Sequence, residues 1–106
     1  ELIETPDMHT RKAKMEELSH AFVILPGGFG TLDEFFEILT WRQLGFHNKP
    51  IIVVDIDGYF SGLEQYIQRA VDEDYVRESN LKLFDWVSTV EEAMTFLDGY
   101  FQKNTE

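Results

Sequence analysis

The sequence predicts an α/β fold in which a parallel sheet is flanked by helices. Short apolar runs of strand length alternate with longer segments whose apolar residues recur at helical spacing. The clearest run, residues 51–55, is continuously apolar up to its closing aspartate, which is typical of a strand buried on both faces of a parallel sheet. Because strands and helices alternate, crossover connections must join the strands, and the helices then cover the sheet.

Local signals set the boundaries of these elements. Pro6 ends the first strand, and Asp7 or Thr10 can cap the helix that follows. Gly45 is a natural residue to follow a helix end, and Pro50 blocks any further helix. The predicted elements are a strand at 1–4, a helix at 7–19, a strand at 21–25, a helix at 31–44, a strand at 51–55, a helix at 60–74, a strand at 83–87 and a final helix at about 90–101.

Length and composition allow one small domain and exclude several classes of protein. A chain of 106 residues with 43% hydrophobic content can bury one core, so residues 1–106 are expected to form a single domain. The absence of cysteine excludes disulfides and thiolate chemistry. No stretch approaches the roughly 20 apolar residues that span a bilayer, and no signal-peptide pattern is present, so we expect a cytoplasmic protein without a membrane partner. The formal charge of −11 argues against nucleic acid as a partner.

One cluster of basic residues stands out in this acidic chain. Arg11, Lys12 and Lys14 fall within four positions, although the chain has only nine Lys and Arg residues. Arg11 and Lys12 lie in the first turns of a predicted helix, where basic residues oppose the macrodipole. That unfavourable placement suggests that they face an anion, and the alternative is a solvated helix face.

The most informative segment is residues 26–34, Pro-Gly-Gly-Phe-Gly-Thr-Leu-Asp-Glu, which joins an apolar strand to a helix. Glycine permits positive φ and lets a ligand approach the backbone, while a helix N-terminus offers unpaired N–H groups and partial positive charge. Together these features predict an anion site, most often for phosphate, beyond the carboxyl end of a strand. The segment matches neither the Walker A pattern nor the dinucleotide motif, and a tight structural turn is the alternative.

Two helix starts fit the capping box. In this motif the side chain of a Thr or Ser accepts a hydrogen bond from the backbone N–H of a Glu three residues later, and the Glu side chain accepts one from the N–H of the Thr or Ser. Residues 88–92, Ser-Thr-Val-Glu-Glu, fit it in either of two registers. Thr31 and Glu34 fit it as well, which gives Glu34 a structural interpretation. Against that interpretation, Asp33 and Glu34 place two carboxylates beside an anion site, and such repulsion is tolerated where a carboxylate has chemistry to do.

Residues 26–34 and the basic segment before them resemble the signature of the LOG family. Its members are cytokinin riboside 5′-monophosphate phosphoribohydrolases, long mislabelled as possible lysine decarboxylases. Residues 8–12, Met-His-Thr-Arg-Lys, precede residues 26–34 in the family order, and residues 40–50 and 57–59 are also similar to family segments. The likeness weakens beyond about Val76. The resemblance implies a Rossmann-like domain of which residues 1–106 are the C-terminal portion, lacking the N-terminal part of the full domain.

The resemblance also implies a reaction and a set of site residues. The reaction is hydrolysis of the N-glycosidic bond of a nucleoside 5′-monophosphate, either a cytokinin riboside monophosphate or an AMP-like nucleotide, to free base and ribose 5-phosphate. Glu34 and Arg11 would be catalytic and Lys12 would contact the substrate. A carboxylate beside the ribose can stabilise the positive charge of the transition state and orient water. The residues expected to bind phosphate or substrate are Gly27, Gly28, Phe29, Gly30 and Thr31, with Thr40 as a weaker candidate.

Other functions remain open at this level. The broader 5′-monophosphate nucleosidases act on ordinary nucleotides such as AMP, and related Rossmann-like proteins carry nucleotides or molybdenum cofactor without cleaving them. The Arg-Lys pair together with Glu34 favours hydrolysis. No cofactor is expected, because His9, His20 and His47 lack metal-ligand spacing. The chain also shows no recognisable pyridoxal phosphate site, so we reject the decarboxylase label.

The resemblance further implies a homodimer or higher homo-oligomer, since the family is dimeric through helices next to the active site. Phe35, Phe36 and Trp41 are compatible with such an interface. The chain also begins in a predicted strand, so one sheet edge is expected to lack its partner and to be open to another chain. We therefore expect the 106 residues alone to associate and to hydrolyse nucleotides poorly or not at all, and the intact protein to be active.

Overall fold

The computed structural model describes residues 20–104, which form helices around a small parallel sheet and confirm the predicted α/β class. The strands pair in the order β1-β2-β3, and both pairs are parallel. The predicted strand at 1–4 and helix at 7–19 lie outside the described residues. The elements are β1 (Phe22–Ile24), α1 (Phe29–Gln43), β2 (Ile51–Val54), a 3₁₀ turn (Ile56–Gly58), α2 (Ser61–Asp72), a 3₁₀ helix (Glu78–Leu83), β3 (Asp85–Val87) and α3 (Val90–Asn104).

The central strand β2 is buried on both faces, as its continuous apolar run predicts. All four of its side chains are 0% exposed. Ile51 and Val53 belong to one hydrophobic cluster and Ile52 and Val54 to the other, because successive side chains of a strand point to opposite faces. Burying a side chain of this size contributes about 1.5–3 kcal/mol, so β2 anchors both layers.

The two clusters correspond to the helices on the two faces of the sheet. One contains core residues of α1, including Phe35 and Ile38, with Leu63 and Ile67 of α2 packed against it. The other contains Ala93 and Leu97 of α3. None of the helices within residues 20–104 is both long enough and apolar enough to cross a membrane.

Phe35 was expected to be available at an oligomer interface, and this expectation is wrong. Its side chain is 0% exposed. It packs edge-on against Phe84, with the ring centroids 5.4 Å apart. Its neighbour Phe36 lies further round the helix and is 38% exposed. The period of the helix therefore assigns the first ring to the core and leaves the second at the surface.

The C-terminal end of α1 confirms the role predicted for Gly45. This residue adopts φ 87°. Its N–H donates to the Arg42 carbonyl at 3.1 Å, and the N–H of Phe46 donates to the Trp41 carbonyl at 2.9 Å. These two bonds form a Schellman motif, in which a left-handed residue ends the helix and satisfies its last carbonyls.

Arg42 ties the C-terminal part of α1 to the segments that lead into the next two strands. Its Nη1 donates to the carbonyls of Lys49 at 3.0 Å and Leu83 at 2.8 Å. The strand predicted at 83–87 is shorter than expected and begins at Asp85. Leu83 instead ends a 3₁₀ helix, where its carbonyl is held by the guanidinium group.

The start of α3 confirms a capping box and selects one of the two predicted registers. Thr89 Oγ1 accepts a hydrogen bond from the N–H of Glu92 at 3.0 Å. In return, Glu92 Oε1 accepts bonds from the N–H groups of Ser88 at 2.6 Å and Thr89 at 3.3 Å. Oε1 of Glu92 is thus engaged in starting the helix.

Candidate active site

The glycine turn, which we define as residues 26–30, follows the carboxyl end of β1. Because β2 runs parallel to β1, the loop that follows β2 leaves the sheet at the same edge. Tyr59 in that loop donates a hydrogen bond from its hydroxyl to the Gly27 carbonyl, with 2.5 Å between the oxygens. The glycine turn therefore lies where parallel sheets bind their ligands, as predicted.

The helix after the glycine turn begins earlier than predicted. Gly28 is the N-cap residue of α1, and Phe29 is its first helical residue. The N–H of Leu32 donates to the Gly28 carbonyl at 3.2 Å, so helical bonding starts two residues before the expected Thr31. None of the three glycines in the turn adopts positive φ. The turn therefore does not use the positive φ that glycine permits.

The three glycines of the turn meet different surroundings. A Cβ added at Gly27 would lie 2.1 Å from Thr31 Oγ1, so the fold itself requires glycine there. Among the residues that the structure describes, a Cβ added at Gly28 or Gly30 would meet nothing within 4 Å. Phe29 between them is 92% exposed. The helix N-terminus thus presents bare backbone to open space, as an anion site requires.

Glu34 does not cap α1, and the capping-box interpretation is wrong at this helix. No side-chain hydrogen bond caps its start, and Gly28 occupies the N-cap position. Thr31 is then the third helical residue and Glu34 the sixth, in the second turn, beyond the main reach of the macrodipole. The Glu34 side chain is exposed, and within residues 20–104 it makes no hydrogen bond or ion pair.

Helical spacing places Glu34 on the same face of α1 as the glycine turn. Gly30 and Glu34 are four residues apart, so they lie one above the other about 6 Å apart along the helix axis. Thr40 is ten residues from Gly30, or about 15 Å along the axis. It lines an apolar groove of about 270 Å³ with Tyr66 and Tyr75. The structure therefore brings Glu34 to the glycine turn and leaves Thr40 away from it.

Two predicted site residues, Arg11 and Lys12, lie outside the described residues. Among the residues of segment 40–50, Arg42 is engaged by the carbonyls that precede β2 and β3, as described above. These carbonyls lie at the amino ends of the strands, opposite the glycine turn. Arg42 therefore belongs to the scaffold and does not supply charge to the site.

His47 has a structural role in this part of the chain. Its Nδ1 accepts from the Lys49 N–H at 3.1 Å, so its Nε2 carries the proton and donates to the Ile38 carbonyl at 2.9 Å. Burial lowers the pKa of His47, and the nearby Lys49 and Arg42 act in the same direction. Within residues 20–104 no group of three His, Cys, Asp or Glu side chains is placed to hold a metal ion.

Tyr59 was not among the predicted site residues. The sequence did carry a signal, because Asp57 and Gly58 form a turn dipeptide directly after a strand buried in a parallel sheet. Such a turn must lie at the same edge as the glycine turn of the preceding strand. The sequence pattern does not reveal which neighbouring atom the Tyr59 hydroxyl reaches.

A parallel α/β sheet with a bare glycine turn at a helix N-terminus defines a protein with a candidate site for an anionic ligand. The family model described as "Possible lysine decarboxylase" matches residues 1–97. The chain therefore belongs to this family.

Curated relatives of the chain carry LOG-type names. It is 44% identical over 94 residues to the rice protein "Probable cytokinin riboside 5'-monophosphate phosphoribohydrolase LOGL3", which covers 89% of the chain and 44% of the rice protein. It is 40% identical over 100 residues to the Arabidopsis protein "Cytokinin riboside 5'-monophosphate phosphoribohydrolase LOG5". This match covers 94% of the chain and 44% of the Arabidopsis protein. The Arabidopsis protein "Cytokinin riboside 5'-monophosphate phosphoribohydrolase LOG3" is 42% identical over 94 residues, and the match covers 89% of the chain and 44% of that protein. The chain thus spans less than half the length of these relatives.

Proposed function

We propose that the intact protein hydrolyses the N-glycosidic bond of a nucleoside 5′-monophosphate and releases the base and ribose 5-phosphate. The observation that carries this proposal is the state of Glu34, whose carboxylate is exposed and does not cap the helix that bears it. Within residues 20–104 this carboxylate has no structural task, and it lies one helical turn from a bare glycine turn, which suits a reaction on a phosphate-bearing substrate. The printed names of the relatives support the same reaction class.

The glycine turn would hold the 5′-phosphate. The first N–H groups of a helix have no intrahelical partner and carry partial positive charge, so they bind an anion well. The open space at Gly28 and Gly30 lets a phosphate reach this backbone. Because the chain carries a formal charge of −11, Arg11 and Lys12 would supply the positive field that the site needs.

Glu34 would act on the sugar. As the bond between C1′ and the base nitrogen breaks, positive charge develops on the ribose, as in glycoside hydrolysis. A nearby carboxylate stabilises that charge and orients the water whose oxygen bonds to C1′, while a proton from water ends on the departing base. Arg11 would fix the carboxylate and the substrate. The residues described here need no metal for this chemistry.

Base release by the intact protein tests the proposal. AMP and its N6-isopentenyl analogue are incubated with the protein, and free base and ribose 5-phosphate are quantified by chromatography. We expect the two products in equal amounts, with adenosine, which lacks the phosphate, cleaved at least about 10²-fold less efficiently, on the scale of a lost charge-assisted phosphate clamp. The ratio of the two nucleotide rates gives the base preference.

The same assay separates hydrolysis from a carrier function. A carrier of nucleotides or molybdenum cofactor would bind its ligand and release it unchanged. Saturable binding of AMP with no free base after prolonged incubation would therefore overturn the hydrolase proposal. Equal cleavage of AMP and adenosine would instead overturn the phosphate role of the glycine turn.

We also propose that the intact protein is a homo-oligomer, with exposed aromatic side chains near α1 in the contact. Phe36 is 38% exposed and Phe46 is 75% exposed, and both are large apolar groups that a partner can cover. Sedimentation measurements should give a mass of at least two chains. Replacing Phe46 by Ser should shift that mass toward one chain, and an unchanged mass would exclude this face from the contact.

A further inference from the structure

The contact between Tyr59 and the glycine turn offers a role that the reaction scheme above does not use. Tyr59 is 57% exposed, yet its hydroxyl donates to the Gly27 carbonyl at 2.5 Å. The two residues are 32 positions apart in the chain. An exposed tyrosine gains little by leaving water for a single backbone carbonyl, so the main effect of the bond is on the glycine turn.

The loop that carries Tyr59 is held in place from several sides. Asp55 Oδ1 accepts from the Phe60 N–H at 2.7 Å, and the Asp55 N–H donates to the Val87 carbonyl at 2.7 Å. The Tyr59 ring packs edge-on against Phe60, which is 3% exposed, with the centroids 5.0 Å apart. The phenol is therefore presented to the glycine turn by a fixed loop.

The backbone of this loop also adopts an uncommon conformation to reach that arrangement. Asp57 and Gly58 lie in the left-handed region in succession, with φ 55° and 72°. A Cβ at Gly58 would meet nothing within 4 Å, so only its φ demands glycine. Two successive left-handed residues turn the chain sharply after β2, and Tyr59 follows directly.

The bond to Gly27 fixes the orientation of one peptide unit. In a planar trans peptide the carbonyl of Gly27 and the N–H of Gly28 point in opposite directions. Holding the carbonyl on the side of Tyr59 turns the Gly28 N–H to the other side. Within residues 20–104 this N–H has no backbone acceptor. A peptide between two glycines is the easiest kind to rotate, so a fixed carbonyl matters here.

We propose that Tyr59 is a positioning residue, whose hydroxyl locks the Gly27–Gly28 peptide so that the Gly28 N–H is presented to the 5′-phosphate of the nucleotide. This inference rests on the proposed phosphate role of the glycine turn and deepens it. Without the lock, the peptide can rotate and offer its carbonyl to the anion, which is repulsive. Tyr59 then affects phosphate binding and leaves the chemistry at the glycosidic bond to Glu34.

The test measures binding of AMP and of adenosine to the intact protein by calorimetry, in a Glu34→Gln background in which AMP cleavage is expected to be slow. Tyr59→Phe removes only the hydroxyl. Tyr66→Phe is the matched control, because Tyr66 is also an exposed tyrosine but lies in α2. We expect Tyr59→Phe to weaken AMP binding about 5- to 10-fold, the factor for one hydrogen bond, and to leave adenosine binding within about twofold. Tyr66→Phe should change neither.

Steady-state kinetics with Glu34 present supply a second readout. Tyr59→Phe should raise KM for AMP by a similar factor and keep kcat within about threefold, because the lost interaction holds the phosphate in both ground and transition states. Tyr59→Leu lacks the hydroxyl as well and should weaken AMP binding to the same degree.

Several results would overturn the inference. Unchanged AMP binding in Tyr59→Phe would show that the hydroxyl positions nothing, and a loss seen only in Tyr59→Leu would assign the contact to the ring. Equal weakening of AMP and adenosine would place Tyr59 against the nucleoside. If the protein with Tyr59 unchanged binds AMP no better than adenosine, the proposed phosphate role of the glycine turn fails, and this inference fails with it. If that protein prefers AMP, the proposed phosphate role is kept, and the variants test Tyr59 alone.

Discussion

The starts of α1 and α3 carry the same Thr-x-x-Glu pattern, and the two glutamates are used in opposite ways. At α3, Glu92 bonds the backbone N–H groups of Ser88 and Thr89, and the capping box closes. At α1, the helix begins before Thr31, and Glu34 has no capping bond. One carboxylate is consumed by the fold and the other is exposed.

The residues ahead of each pattern explain the difference. Two glycines precede α1, and the second, Gly28, takes the N-cap position, so the chain enters the helix at Phe29 and Thr31 is already inside it. Ser88 and Thr89 follow β3 directly with no glycine, and the threonine is left at the helix boundary as its cap. A short pattern thus acquires its role from the backbone in front of it.

The largest effect is expected at Glu34, the carboxylate that does not cap its helix. Glu34→Gln in the intact protein should lower kcat for AMP cleavage by at least about 10²-fold, the scale of one positioned catalytic group, while nucleotide binding is largely kept. Glu92→Gln is the matched control, and we expect its kcat to be unchanged. A near-normal kcat for Glu34→Gln would remove the catalytic role.

The glycines of the turn should separate stability from binding. Gly27→Ala places a methyl group 2.1 Å from Thr31 Oγ1. We expect it to lower the free energy of unfolding by about 2 kcal/mol, the usual range for overpacking. Gly30→Ala adds a methyl in open space within a helix and should raise stability by about 0.5–1 kcal/mol. Because that methyl covers the bare backbone, AMP binding should weaken. Unchanged AMP binding in Gly30→Ala would contradict the open-space argument.

Thr89 and Thr31 should contribute differently to stability, because only Thr89 caps its helix. Thr89→Ala removes a capping hydroxyl and should lower the free energy of unfolding by about 1 kcal/mol. Thr31→Ala removes a hydroxyl that caps nothing, and we expect a change within about 0.5 kcal/mol, as for most substitutions away from such features. Denaturant titration of both variants measures the difference. A larger loss at Thr31 would reverse the assignment of the caps.

The smallest effect is a pH dependence at the C-terminal part of α1. Burial lowers the pKa of His47 in the folded chain. Below its unfolded value of about 6.5, the unfolded state binds the proton more readily, so stability falls as the pH drops toward the folded pKa and is preserved above about 6.5. His47→Gln should flatten this part of the curve, measured by thermal unfolding between pH 5 and 8. An identical curve in the variant would assign the pH dependence to other groups.

Much of the fold follows from local pattern because each element carries its own signal. The continuous apolar run of β2, the glycine after α1 and the Thr-Glu pair at α3 all act within a few residues of themselves, and each is confirmed. The start of β3 could not be predicted, because Leu83 is held by Arg42, which is 41 residues away in the chain. Phe35 and Phe36 are both aromatic, and only the packing shows which of them is core.

The candidate site was partly predictable for the same reason. The glycine turn and its place at the sheet edge follow from a strand, a turn and a helix in sequence. That Glu34 does not cap its helix cannot be predicted from the sequence, since its Thr-x-x-Glu pattern is the same as the one that forms a capping box at Glu92. The contact of Tyr59 with Gly27 joins two separate loops, and only the three-dimensional fold brings them together.

The most direct test of the contrast compares Glu34→Ala with Glu92→Ala in the free energy of unfolding of the intact protein. Both substitutions exchange the same residue types within a helix, so the change in helix propensity is common to both. The difference then reports the capping bonds of Glu92 together with the interaction of its charge with the helix N-terminus. We predict that Glu92→Ala lowers stability by about 1 kcal/mol relative to Glu34→Ala, the usual contribution of such hydrogen bonds. Both are measured with Arg11→Ala present, so that the proposed contact of Arg11 with Glu34 does not contribute. An equal loss at the two positions would then show that Glu34 also caps its helix, and would contradict the assignment of this carboxylate to catalysis.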